Sequence, residues 1–105
     1  MMTTFDKREQ GFESKFAHDE ELRFKATARR NKLLGLWVAE KLGKTGPDAE
    51  NYAREVMKAD FEEVGDEDVY RKVSGDLGGK ATETEIRTVM NQMMAKAVQQ
   101  VQDGA

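Results

Sequence analysis

Apolar side chains recur every three or four positions in four stretches of the chain, the spacing of one face of an α-helix rather than the alternation of a strand. In the first, from about Asp19 to Leu42, nothing breaks a helix except Gly35, which a helix tolerates. Its apolar residues thicken toward the C-terminal end at Leu33, Leu34, Leu36, Trp37, Val38 and Leu42. This is therefore expected to be the most buried helix, apolar nearly all round in its last turns. Gly43 suits a stop. Gly46-Pro47-Asp48 suits a restart, because proline at a first helical position loses no needed hydrogen bond and aspartate there complements the helix dipole.

The second helix carries the stripe Ala49, Tyr52, Ala53, Val56 and Met57, with Phe61 and Val64 near its end and Gly65 closing it. Asp66-Glu67-Asp68 then opens a short third helix whose face is Val69, Tyr70, Val73 and Leu77, ended by Gly78-Gly79. Thr82 and Glu85 stand at capping-box spacing just before Ile86, Val89, Met90, Met93, Ala97 and Val101, so the fourth helix has the clearest start in the sequence. Met90, Met93 and Met94 read as core filler at this spacing rather than as an adaptable binding surface. Four amphipathic segments joined by short connections imply an all-α protein, a four-helix bundle over residues 19–105.

Residues 1–18 are left over and read as a mobile N-terminal segment. Gly11 interrupts them, and an isolated helix of such length is marginal in water. Their aromatic residues are Phe5, Phe12 and Phe16, which at roughly 100° per residue would fall within about 20° of one line on a helix. A narrow apolar line suits a groove on a partner, and a segment disordered when free can order as it binds. The alternative is that it folds back on the bundle as an extra helix.

The 105 residues allow one modest core, and charged residues at 35% suit a highly solvated helical protein. With no cysteine, disulfides, thiolate metal sites and thiol nucleophiles are excluded, and the chain fits a reducing compartment. No apolar run approaches membrane-spanning length and no signal peptide opens the chain, so it reads as cytoplasmic, without direct membrane insertion. The net charge of −3 hides an asymmetry: residues 1–45 hold ten Lys/Arg against seven Asp/Glu, residues 46–105 seven against thirteen. Nucleic acid is not an expected partner. The basic run Arg23, Lys25, Arg29, Arg30 and Lys32 reads first as a solvated face paired with the acidic second half. Arg23, Lys25, Arg29 and Arg30 are also candidates for gripping an anion such as a nucleotide phosphate.

Little else in the sequence carries chemistry. His18 is the only histidine, so it joins no second histidine around a metal, and no serine has an evident base and oxyanion partner. GDEDVYRKV opens like a calcium loop, but Arg71 stands at the turn-glycine position and Leu77 at that of the closing glutamate. GDLGGKAT fails as a phosphate loop: Ser74 takes the leading glycine's position, Ala81 follows Lys80, and no strand precedes it. Glu62, Glu63, Asp66, Glu67 and Asp68 read as a solvated acidic turn. No catalytic residue, metal ligand or cofactor is expected, and the protein is read as no enzyme.

The run FAHDEELRFKATARRNKLLGLWVAEKLG, residues 16–43, with the opening FDKRE and the later ADFEEVGDEDVYRKV, resembles closely the zeta subunit of alphaproteobacterial F-type ATP synthases, a family long carried as a domain of unknown function. The resemblance is most specific in ARRNKLLGLW, Ala28 to Trp37. It implies a four-helix bundle with a mobile N-terminal segment, and an inhibitor of ATP hydrolysis by the catalytic head of the synthase, its alpha, beta and gamma subunits. Such an inhibitor would be peripheral to the inner membrane through the synthase. By position the inhibitory part would be about Met1 to Asp19, with Phe5, Lys7, Arg8, Glu9, Phe12 and Phe16 as partner-binding residues. The readings from other classes are a small nucleotide-sensing bundle that uses the basic face of the first helix, and a plain structural adaptor.

Overall fold

The computed structural model describes residues 20–60 and 65–104, and every described element is helical. Helix α1 spans Glu20–Lys41, α2 Gly46–Ala59, α3 Glu67–Leu77 and α4 Glu83–Gln102. The fold is the expected all-α four-helix bundle. The N-terminal segment and its expected mobility, and the contributions expected of Phe61 and Val64 to α2, lie outside the described residues.

Local signals account for the helix ends. α1 carries Glu20 and Glu21 in its first described turn and Lys41 in its last, charges that suit the helix dipole. It is closed by Gly43 at φ 78°, with the Lys44 amide donating to the Ala39 carbonyl at 2.9 Å and the Gly43 amide to that of Glu40 at 3.1 Å. That pair of bonds satisfies carbonyls a helix end would otherwise strand, and the positive φ explains why the position is glycine. At α4 the Glu85 amide donates to Thr82 Oγ1 at 3.1 Å, as the capping spacing predicts. The Glu85 carboxylate lies 3.6 Å from the Lys41 ammonium, which ties the start of α4 to the end of α1.

α1 is the spine: it packs on α2, α3 and α4, most extensively on α2 and α4, while α2 and α4 pack on it rather than on each other. The core gathers Leu34 and Val38 of α1, Tyr52 and Val56 of α2, Val69, Val73 and Leu77 of α3, and Ile86, Val89 and Met90 of α4. Met90 is thus a core residue, and Met93 packs against the core from its edge.

One expectation needs correction. The last two turns of α1 are not buried all round: Gly35, Val38 and Ala39 are buried, Leu36 and Trp37 only half-buried like Leu42 just beyond the helix, and Glu40 and Lys41 are exposed. Trp37 packs at the edge of the core with the Lys41 ammonium 5.0 Å from its ring centre, a position suited to an aromatic that meets both protein and water.

Candidate functional site

Arg30 and Asn31, adjacent on α1, build the polar centre of the bundle. Arg30 is 2% exposed and Asn31 1%. The Arg30 guanidinium donates from Nε to Asn31 Oδ1 at 2.7 Å and from Nη2 to Asp66 Oδ1 at 2.8 Å. Asn31 Nδ2 in turn donates to Asp60 Oδ2 at 3.0 Å. Burial pushes the Asp60 carboxyl above its ordinary range, against the hydrogen bond from Asn31 and the charge of Arg30. Asp60 caps the C-terminal end of α2 and Asp66 the N-terminal end of α3, so two neighbouring residues of α1 hold both ends of the connection between those helices. Asp66 makes no side-chain cap bond to α3; its carboxylate is turned to Arg30 instead. Among the described residues no buried side-chain polar atom lacks a partner.

The candidate anion-binding residues therefore divide. Arg30 is not part of a solvated face, because it falls on the stripe Ala26, Arg30, Leu34, Val38, whose four-residue steps follow the buried side of α1. Arg29, about 100° away, is half-buried and donates from Nη1 to Gln100 Oε1 of α4 at 3.1 Å. Lys25 is exposed and pairs with Glu21 at 3.2 Å. Arg23 lies apart, on a surface with Glu20, Thr27 and Phe24, the last a phenylalanine 59% exposed. Lys25, Arg29 and Lys32 are brought together, along an open trough of about 680 Å³ floored by α1 and flanked by Met57 of α2 and by Gln100 and Val101 of α4. The sequence held the signal for this division in the step of four from Ala26 to Val38, which a reading of the basic run as one face overlooks.

A second polar cluster joins α2 and α3. Tyr52 Oη donates to Asp76 Oδ2 at 2.8 Å, and Lys72 Nζ donates to the same oxygen at 2.9 Å and to Glu55 Oε1 at 3.2 Å. Burial, then the Asp76 carboxylate, pushes the Tyr52 phenol far up. At Asp76 burial acts upward too, but hydrogen bonds from Lys72 and Tyr52 and the charges of Lys72 and Lys44 outweigh it and hold the carboxyl below its ordinary range. A carboxyl with a lowered folded pKa adds stability that is complete above its unfolded pKa, about 3.9, and lost as pH falls through the folded value. Asp60 acts in the opposite sense, favouring the fold below that pH and losing its contribution as pH rises through its folded pKa. With 37% of the Asp76 side chain exposed, solvent screens the pairing, so Asp76→Asn should cost only about 1 kcal/mol at pH 7. Denaturant titrations of parent and variant should show that difference closing as pH falls below about 4.

Among the described residues no group of three or more histidines, cysteines, aspartates or glutamates could hold a metal ion, and no helix is long and apolar enough to cross a membrane. The partner-binding candidates Phe5, Lys7, Arg8, Glu9, Phe12 and Phe16, together with His18, lie outside the described residues.

Comparison with known proteins bears on these features. A family model described as ATPase inhibitor subunit zeta matches residues 2–100. A protein structure solved by solution NMR is similar to the chain, with 60% sequence identity, covering 80% of this chain and 99% of that one, at a TM-score of 0.75. No curated protein matches.

Proposed function

We propose a function from the premise that the chain belongs to the ATPase inhibitor subunit zeta family. It acts by binding, without chemistry of its own, on the catalytic head of an F-type ATP synthase, and it stops that head from hydrolysing ATP. The family match over nearly the whole chain carries this reading, and the sequence of residues 1–18 supports its finer form. There Phe5, Phe12 and Phe16 form the apolar line that enters an interface among the alpha, beta and gamma subunits, flanked by Lys7, Arg8 and Glu9. A segment wedged into such an interface blocks the opening and closing that each catalytic cycle requires. The protein then works in the cytoplasm, held at the inner membrane through the synthase. The nucleotide-sensing alternative has less support, since Arg30 is committed to Asp66 and Asn31.

Hydrolysis by the isolated head, titrated with pure protein, tests the reading. The full chain should inhibit. Removing residues 1–18 should abolish inhibition and leave the melting temperature nearly unchanged, because the described residues of the four helices already assemble a shared core, from Leu34 of α1 to Met90 of α4. Phe12→Asp should weaken inhibition at least about tenfold, because it sets a charge where an apolar anchor is buried. A full chain without effect on the head would refute the function; a truncated chain that still inhibits would refute the role of the segment.

A further inference from the structure

We propose that the trough along α1 is a docking site for an acidic amphipathic helix of a partner protein. This goes beyond the role given to residues 1–18 and does not rest on it. The trough exists because α2 and α4 pack on α1 but not on each other, so one side of the spine is left as a floor between their C-terminal ends.

Leu22, Lys25, Arg29, Lys32 and Leu36 run along this floor in steps of three, four, three and four. That spacing is the seam by which one helix lies lengthwise on another, and from Leu22 to Leu36 it extends about 21 Å, close to four helical turns. The apolar side chains that border it, among them Leu33, Met57 and Val101, are half-buried and take no part in the core cluster. They offer apolar area that a docked helix would cover.

Charge selects the occupant. Among the described residues three cations line the trough and no carboxylate does; Glu21, paired with Lys25, lies beside it. Lys25 and Lys32 can lay their stems along the apolar floor while their ammonium groups reach the flanks of a helix above. Seven residues of helix separate them, about 10 Å, so the positive charge is strung along the trough instead of converging on one point as a phosphate site requires. Residues 1–19 of this chain carry three Lys/Arg against four Asp/Glu and are nearly balanced, so a more acidic partner helix fits better.

The test uses the isotopically labelled full chain and three probes: a synthetic amphipathic peptide of about 20 residues with leucine on one side and glutamate on the others, its lysine counterpart, and phosphatidylglycerol vesicles. The acidic peptide should bind and shift the amide signals of Leu22, Arg29, Leu36 and Val101, and the basic peptide should not. Lys25→Glu with Lys32→Glu should weaken the acidic peptide at least tenfold and favour the basic one, with the melting temperature unchanged. Equal binding of both peptides, binding of neither, or an acidic peptide indifferent to the charge reversal overturns the proposal. Vesicles that perturb the same signals at lower concentration than the peptide would assign the trough to a lipid surface. Trough signals that move on deletion of residues 1–18, with no response to either peptide, would assign it to the chain's own N-terminal segment.

Discussion

Arg30→Ala is expected to lower the melting temperature by roughly 10–20 °C, while Arg29→Ala, one residue earlier, should leave it within a few degrees. Arg30 has 2% of its surface exposed, so the substitution opens a void among packed side chains and deprives buried Asn31 Oδ1 of its donor. The lost ion pair is the smaller effect, because Asp66 is 54% exposed and water can solvate its carboxylate when the guanidinium is gone. Void and stranded acceptor together cost about 2–4 kcal/mol, a large share of a small domain's stability. Arg29 is half-buried and contributes a bond to Gln100, a contact of about 0.5–1 kcal/mol. Thermal melts of the two variants decide it. Equal shifts would mean that Arg30 does not face the interior.

The helices were most legible where a local signal marks a boundary: Gly43, Gly46-Pro47 and Thr82 act through local backbone chemistry, which neighbouring elements do not override. The polar centre was less legible. An arginine on a helix reads as solvated until its phase is set against the apolar residues four positions to either side, and Asp60 and Asp66 are distant from it in sequence. Nor does periodicity reveal that Leu22, Leu33 and Leu36 border a trough, since that depends on α2 and α4 failing to meet. The run ARRNKLLGLW joins these roles within ten residues: Arg29 on the trough, Arg30 and Asn31 in the polar centre, Leu34 in the core, Trp37 at its edge. Its Gly35 looked merely tolerated.

Gly35→Ala should nevertheless be clearly destabilising, although alanine is the better helix former by about 1 kcal/mol. A Cβ at Gly35 would stand 2.6 Å from Ala53 Cα, 3.2 Å from Ala53 Cβ and 3.3 Å from Val56 Cγ2. The nearest of these is backbone and cannot turn aside, so α1 and α2 must move apart where Ala53 and Val56 are both buried. Because the obstacle is backbone, overpacking here falls in the upper part of the usual range, about 2–3 kcal/mol, which exceeds the gain in propensity. A net loss of about 1–2 kcal/mol, roughly 5–15 °C, is expected for Gly35→Ala, and Gly35→Val, bulkier and a poorer helix former, should lose more. Gly75 in α3 supplies the control: a Cβ there meets nothing within 4 Å, so Gly75→Ala receives the propensity gain without the clash and should melt higher by a few degrees. Melts of the three variants separate the effects. If Gly35→Ala rises as Gly75→Ala does, the close approach of α1 to α2 is wrong; opposite shifts mean that the glycine in ARRNKLLGLW is there to let two helices touch.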